Sequence, residues 1–211
     1  MSTIRRLAAE AIGLRTEAIA EVRVVKRSLD ARRRRKPHEV LTVKIWETGE
    51  TVPADRAPQA RVGKMKPLRA GQAPIVVGMG PAGLWAALRF IEAGEPCILI
   101  DRGGRLEERH AAVRGLRRNG QLDAENNLCF GEGGAGTYTD GKLYTRKRDP
   151  GIRRVYEDFV AFGAQPEILT DAHPHIGTNR LIQVVGVMRK FLEEKGCLLR
   201  FDSRVDGLVR N

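Results

Sequence analysis

Three glycines in a fixed pattern are the residues of this chain best suited to holding a phosphate. They are Gly78, Gly80 and Gly83, in the segment VGMGPAGL. In such a segment the first glycine permits a tight turn, the second lets the backbone approach a pyrophosphate, and the third lets a helix pack closely on the preceding strand. Pro81 suits the first turn of that helix, whose unpaired N–H groups face the phosphates. The spacing therefore predicts a dinucleotide site.

The elements around this turn have the order that such a site needs. The β-branched run from Ile75 to Val77 predicts a fully buried parallel strand, and apolar residues at helical spacing follow until Gly94. Residues 97–100 predict a second buried strand, which ends at Asp101. Asp101 follows Gly83 by 18 residues, close to the roughly 20 expected for a carboxylate that binds an adenosine ribose. This complete order favours a dinucleotide site over a purely structural turn.

A second glycine-rich segment, FGEGGAGTYTDGKL, covers residues 130–143. Glycines spaced this closely offer backbone N–H groups to an anion or to the edge of a flat ring, and Thr137, Thr139 and Lys142 add donors. A flexible surface loop is the alternative, but such a loop more often carries Ser and Asn. We therefore expect this segment to contact a cofactor.

The chain after this segment predicts a core helix and further strands. Thr178 is placed to cap the helix and Gly196 to end it. Apolar residues repeat at core spacing between them, at Leu181, Val184, Val185, Met188 and Leu192. Residues 197–201 predict a third strand, and residues 204–210 the start of another.

The N-terminal part predicts a small α+β module at residues 1–50. It consists of a short helix at Ile4 to Leu14 and strands at residues 22–28 and 40–46. Residues 51–72 lack a sustained period and predict a linker, which leaves residues 73–211 for the nucleotide-binding domain.

Positive charge is concentrated in the N-terminal part. The chain carries a net charge of +11, and residues 1–70 hold 17 Lys and Arg against 8 Asp and Glu. The densest run, from Arg32 to Lys36, predicts a loop between two strands. Such a run can bind nucleic acid by neutralising phosphates. Few aromatic residues accompany it to stack on bases, so a solvated hairpin tip is the favoured interpretation.

The cysteines and the apolar segments exclude several classes of protein. Cys97, Cys129 and Cys197 are odd in number and far apart, with no C-x-x-C pair, so neither a zinc site nor a disulfide framework is predicted. A reducing cytoplasm is the expected location. The apolar stretch from Ala73 to Leu88 is shorter than the roughly 20 residues of a membrane span, and Arg89 closes it.

Four stretches together resemble a known group of flavoproteins. They are Val25 to Arg32, VGMGPAGL with Asp101 to Gly103, FGEGGAGTYTDGKL, and Pro174 to Asn179. The chain is similar to bacterial FAD-dependent dehydrogenases, often labelled NAD(FAD)-utilising dehydrogenases, a branch of the flavoproteins with two dinucleotide folds. It departs from them at Asp101, where many have Glu, and at Tyr138-Thr139, where Phe-Ser is frequent.

This resemblance implies an FAD-dependent oxidoreductase, with NAD(P)H as a reductant and an unspecified small-molecule substrate. The implied fold is α/β, an incomplete, doubly wound FAD/NAD(P)-binding Rossmann-like domain preceded by the small α+β module. The residues implied to hold the FAD pyrophosphate are Gly78, Gly80, Pro81, Ala82 and Gly83. Those implied at the adenosine end are Asp101, Arg102 and, through its backbone, Val205. Those implied along the pyrophosphate or flavin are Gly133, Gly134, Ala135, Gly136, Lys142 and Leu143.

The resemblance also implies that parts of such an enzyme are missing. A late Gly-Asp turn and an inserted substrate domain would follow Asn211, so the chain resembles the N-terminal part of a longer enzyme. We expect an unpaired sheet edge and self-association through it. The alternative functions are a nicotinamide dinucleotide-binding domain, and a basic nucleic-acid-binding module with the dinucleotide fold as a sensor.

No catalytic residue is assigned from the sequence. His173 and His175 flank Pro174 in a loop, but no carboxylate partner is identifiable from their spacing. A turn or capping role is the favoured interpretation of both histidines. Hydride chemistry would belong to the flavin, so a protein nucleophile is not required.

Overall fold

The chain forms two compact units whose segments alternate along the sequence. The computed structural model describes residues 3–32, 36–69 and 71–209. The first unit contains Met1–Pro58, Leu143–Val160 and Gln165–His175, and the second contains Gln59–Lys142, Ala161–Ala164 and Ile176–Asn211. These units differ from the predicted division at residues 1–50, 51–72 and 73–211, because two later segments pack with the N-terminal hairpin.

The first unit is built on an antiparallel hairpin. Helix α1 (Thr3–Ile12) precedes strands β1 (Ile19–Asp30) and β2 (His38–Glu47), which pair with each other. The helix and both strands occur where the sequence predicts them, and the strands are longer than predicted. Residues 33–35 of the basic run lie outside the described residues.

Later segments join this unit through backbone hydrogen bonds to β1. The Arg27 N–H donates to the Thr170 carbonyl oxygen at 2.8 Å, and the Ala172 N–H donates to the Arg27 carbonyl oxygen at 2.8 Å. The Tyr156 hydroxyl, on helix α4 (Gly151–Ala161), donates to the Leu143 carbonyl oxygen at 2.9 Å. The Arg27 contacts hold residues 170–172 against β1, and the Tyr156 contact is internal to the segment Leu143–Val160.

The second unit contains a parallel sheet. Strands β3 (Ile75–Val77), β4 (Ile98–Ile100) and β5 (Leu198–Arg200) pair in the order β3-β4-β5. Helix α2 (Pro81–Glu92) connects the first two strands. Helix α3 (Leu106–Asn119), the second glycine-rich segment and helix α5 (Thr178–Glu194) lie between β4 and β5 in the chain. The unit is therefore mixed α/β with a parallel sheet, which confirms the predicted α/β class.

The helices of this unit bury the predicted apolar stripes. On α2 these are Leu84, Ala87, Leu88 and Ile91, and on α5 they are Leu181, Val184, Val185, Met188 and Leu192. The predicted cap at Thr178 is wrong. Gly177 is the N-cap, and the Thr178 hydroxyl donates instead to the Thr139 carbonyl oxygen at 2.6 Å.

The prediction of a fully buried first strand is also wrong. Ile75 and Val77 on β3 are 61% and 62% exposed. Their register places them beside Ile98 and Ile100 on one face of the sheet, whereas Leu99 on the other face is fully buried. A doubly wound sheet has helices over both faces, and in the described part of the chain the face with Ile75 and Val77 stays exposed.

The strand predicted at residues 204–210 does not form in the described part, residues 204–209. The cause lies just before it, at Asp202, which has a φ of +49°. This conformation turns the chain away from an extended path. The Ser203 N–H then donates to the Asp101 carbonyl oxygen at 2.9 Å, so the chain crosses the end of the sheet instead.

Part of the predicted linker is anchored to the second unit. The Gly63 N–H donates to the Ile91 carbonyl oxygen at 3.0 Å, and the Lys66 N–H donates to the Gly94 carbonyl oxygen at 2.8 Å. The Lys66 ammonium also pairs with Glu95 at 2.6 Å. Among the described residues, no helix has the length and apolar character needed to cross a membrane.

Candidate cofactor site

The first glycine turn (Gly78–Gly83) joins β3 to α2. Gly78 has a φ of +98°, which favours glycine, and its N–H donates to the Ile100 carbonyl oxygen at 2.7 Å. A Cβ on Gly83 would overlap the Gly78 carbonyl oxygen and lie 3.3 Å from a methyl carbon of Val76. The turn and the close helix–strand packing therefore both depend on glycine.

Gly80 differs from these two glycines because it has room beside it. It is the N-cap of α2 with a φ of −72°, and a Cβ there would meet only the Gly134 Cα within 4 Å, at an ordinary 3.7 Å. Pro81 opens the helix and Ala82 is exposed. The first N–H groups of a helix lack partners within it. This open space therefore lies where an anion would be stabilised.

The second glycine turn (Gly131–Gly136) packs against the first. The Gly133 N–H donates to the Met79 carbonyl oxygen at 2.8 Å. A Cβ on Gly134 would lie only 2.9 Å from the Gly80 Cα. Residues 131–134 are buried, so the alternative of a flexible surface loop is wrong for this part. Ala135 is exposed and Gly136 is half-buried, in the short 3₁₀ helix that follows.

The Asp101 carboxylate ties the two glycine turns together. Its Oδ2 accepts the Met79 N–H at 2.6 Å, and its Oδ1 accepts the N–H groups of Gly103 at 2.8 Å and Gly131 at 2.9 Å. A carboxylate has about four acceptor positions, so backbone donors use three of them. Asp101 thus holds the backbone of both turns in place, a role that the sequence did not show. Its predicted contact with a ribose stays a prediction.

A buried arginine holds the backbone of the second glycine turn and of the residues just before it. Arg109 on α3 is fully buried and donates to three backbone carbonyl oxygens at 2.6–2.9 Å, those of Asn127, Leu128 and Glu132. Burial lowers the pKa of Arg109 and raises the pKa of Glu132. The Glu132 carboxylate accepts the Leu106 N–H at 2.9 Å and lies 3.3 Å from Arg189. Arg109 lies in a polar helix, which gave no sequence signal of this role.

A cleft of about 310 Å³ opens at the carboxyl ends of β3 and β4. Six of the predicted site residues line it: Gly78, Gly80, Asp101, Arg102, Gly134 and Val205. Pro81, Ala82, Gly83, Gly133, Ala135 and Gly136 belong to the same two turns without lining the cleft. The structure therefore brings the two glycine-rich segments, distant in the chain, to one cavity.

One wall of the cleft combines an aromatic ring with charged groups. The Arg102 guanidinium lies 4.1 Å from the centre of the Phe130 ring and pairs with Glu125 at 2.7 Å. Glu125 also pairs with Arg204 at 2.8 Å. The hydrogen bond from Arg102 is the main cause that lowers the pKa of Glu125. Neither Phe130 nor Arg204 was predicted as a site residue, although Phe130 opens the second glycine-rich segment, because attention to that segment rested on its glycines, threonines and lysine.

Four candidate residues are not among those that line this cleft. Lys142 is exposed and pairs with Asp140 at 2.9 Å. Leu143 belongs to the first unit, where its N–H donates to the Pro174 carbonyl oxygen at 2.9 Å. His173 and His175 belong to that unit too. The structure therefore does not place these four residues with the glycine turns.

Comparison with known proteins adds little about function. Residues 1–46 match a family model described as a domain of unknown function (DUF8436). The chain is also 29% identical, over 219 aligned positions and 99% of its length, to a protein of Clostridium beijerinckii described as an uncharacterized protein. The chain spans 41% of the length of that relative.

Proposed function

We propose that this chain binds FAD in the cleft between the two glycine turns and forms part of an FAD-dependent oxidoreductase. The observation that carries the proposal is the convergence of both turns and the start of α2 on that cleft. In open α/β sheets, ligands bind outside the carboxyl ends of the strands. The open side of Gly80 supports a ligand at this point, because no packing contact of the fold itself requires glycine there.

The residues of the cleft suit the two ends of a dinucleotide differently. The first turn of α2, with Gly80 and Gly134 beside it, offers backbone N–H groups and little side-chain bulk to a pyrophosphate. At the other end, Arg102, Phe130 and Val205 offer a flat, mixed polar and apolar surface to an adenosine. When bound, FAD would supply the hydride chemistry, with NAD(P)H as a reductant.

Other parts of the proposal rest on the resemblance described above. The doubly wound FAD-binding fold belongs to it, whereas a cytoplasmic location is proposed from the cysteine pattern. The exposed apolar side chains of Ile75 and Val77 favour self-association, because an exposed apolar sheet face is a site of association. The substrate is unassigned, and no residue of the cleft is assigned as a catalytic acid or base.

The test is the cofactor choice of the purified chain. We expect it to be yellow, or to become yellow with the absorbance of a bound flavin after incubation with FAD. Titration with FAD should quench the flavin fluorescence, and ADP should compete because it carries the adenosine and pyrophosphate. Binding of NAD⁺ or NADH without any binding of FAD would replace this proposal with a nicotinamide dinucleotide-binding domain.

A further inference from the structure

Two cysteines that are 100 residues apart in the chain meet at the start of two paired strands. Cys97 directly precedes β4 and Cys197 directly precedes β5. Their Sγ atoms are 3.7 Å apart, and the Leu198 N–H donates to the Cys97 carbonyl oxygen at 3.0 Å. Their separation in sequence gave no reason to expect a disulfide, but the parallel register of β4 and β5 brings them side by side.

The surroundings of the pair distinguish the two sulfur atoms. The Cys97 N–H donates to the Cys197 Sγ at 3.5 Å, and the two thiols share a further hydrogen bond. That shared bond lowers the pKa of Cys197 to about 7, while the same bond and burial raise the pKa of Cys97. Cys97 is fully buried, whereas Cys197 is 7% exposed and follows an exposed glycine, Gly196. Both cysteines are buried, but Cys197 is the less deeply buried of the two and the one that forms a thiolate more readily.

We propose that Cys97 and Cys197 are a redox-active thiol pair that a small-molecule disulfide converts reversibly into a disulfide between β4 and β5. Neighbouring strands lie about 4.8 Å apart, within the Cα separation of about 4.4–6.8 Å that disulfides span. The two Sγ atoms are 3.7 Å apart, so they must approach each other to the roughly 2.05 Å of a disulfide bond. This site lies at the opposite end of the strands from the cofactor cleft, and it does not depend on the proposed function.

The reaction consists of two thiol–disulfide exchanges. First, the Cys197 thiolate attacks one sulfur of the small disulfide, forms a mixed disulfide and releases one small thiolate. Cys97 then loses its proton to solvent and attacks the Cys197 Sγ, which releases the second small thiolate. The two protein thiols are oxidised, the small disulfide is reduced to two thiols, and the two protons of the cysteines end on those products.

The experiment uses the reduced chain and oxidised glutathione as the probe. Cys129 is the third cysteine and is exposed, so Cys129→Ser removes its background reaction. After incubation, the chain is denatured and labelled with N-ethylmaleimide, and its intact mass is measured by mass spectrometry. We expect both remaining thiols to be lost without a glutathione adduct, with a chain lighter by two hydrogen atoms. Digestion should give one Cys97–Cys197 linked peptide, and dithiothreitol should restore both thiols.

Single replacements test the order of the two steps. Cys97→Ala should stop at a glutathione adduct on Cys197, and Cys197→Ala should leave Cys97 unmodified. The cross-link should also form faster in the folded chain than in urea. The proposal is overturned if the folded Cys129→Ser chain keeps two thiols that can be labelled, ends with two glutathione adducts, or cross-links only after denaturation.

Discussion

The two glycine turns differ in what each glycine is needed for. In the first turn, Gly83 has no room for a side chain because the Gly78 carbonyl oxygen lies against it, whereas Gly80 has an open side. In the second turn, Gly134 is pressed against Gly80. A glycine pattern thus contains positions that the fold requires and a position that only a ligand would require. The difference tells us which glycine to change to test binding separately from folding.

The largest expected effect is at the residue that holds the two turns together. Asp101→Asn replaces one of the two acceptor oxygens with an NH₂ group that would face a backbone N–H. We expect the free energy of unfolding to fall by about 3 kcal/mol, because buried donors lose a charged acceptor. Urea denaturation measures this change.

The matched control for Asp101 is another aspartate, Asp140. Its carboxylate is exposed and pairs with Lys142, so Asp140→Asn should leave the stability close to that of the unmodified chain. Equal urea midpoints for the two variants would show that Asp101 does not organise the turns.

The next effect distinguishes two glycines of the same turn. Gly83→Ala should lower the free energy of unfolding by about 2 kcal/mol, because the added methyl group forces backbone to move. Gly80→Ala should lower it by about 1 kcal/mol or less, because alanine is a poorer helix N-cap than glycine but its Cβ would make only an ordinary contact. Thermal unfolding of the two variants side by side measures the difference. Similar losses would show that Gly80 is packed as tightly as Gly83.

The smallest effect is expected at the charged wall of the cleft. Glu125→Gln weakens the ion pairs with Arg102 and Arg204, both of which are partly exposed. Partly exposed pairs contribute little to stability, so the urea midpoint should barely change. The FAD dissociation constant should change by about two- to fivefold, which is roughly 0.4–1 kcal/mol. A loss of all FAD binding in this variant would mean that the wall, and not the glycine turns, holds the cofactor.

The features of this site that depend on residues close together in the chain could be predicted from the sequence. The β3–turn–α2–β4 order and the apolar stripes of α2 and α5 follow from periodicity and glycine spacing, and the structure agrees. The burial of the second glycine turn depends on Asp101 and Arg109, which are distant in sequence and pair with backbone groups. Such contacts leave no periodic pattern, so the sequence predicted a cofactor-contacting segment but not what supports it.

Predictions from the sequence were wrong where burial or chain direction depends on contacts outside the segment itself. A run of Ile and Val predicts a buried strand, but burial of β3 requires cover on both faces, and its own three residues do not specify that cover. A further strand was predicted from residue 204, but the positive φ of Asp202 directs the chain elsewhere. Cys97 and Cys197 looked unrelated because strand pairing, not spacing, brings them together.

The most direct test of the central claim is calorimetric titration of FAD into the unmodified chain and into Gly80→Val. Valine fits the extended backbone of Gly80 and is a poor helix N-cap, so the variant should fold with a stability loss of about 1 kcal/mol or less. We predict that the unmodified chain binds FAD and that Gly80→Val binds it at least about 100-fold more weakly, since the side chain would occupy the pyrophosphate path. Equal FAD affinity in the two folded proteins would contradict the claim that the cleft at Gly80 holds the cofactor.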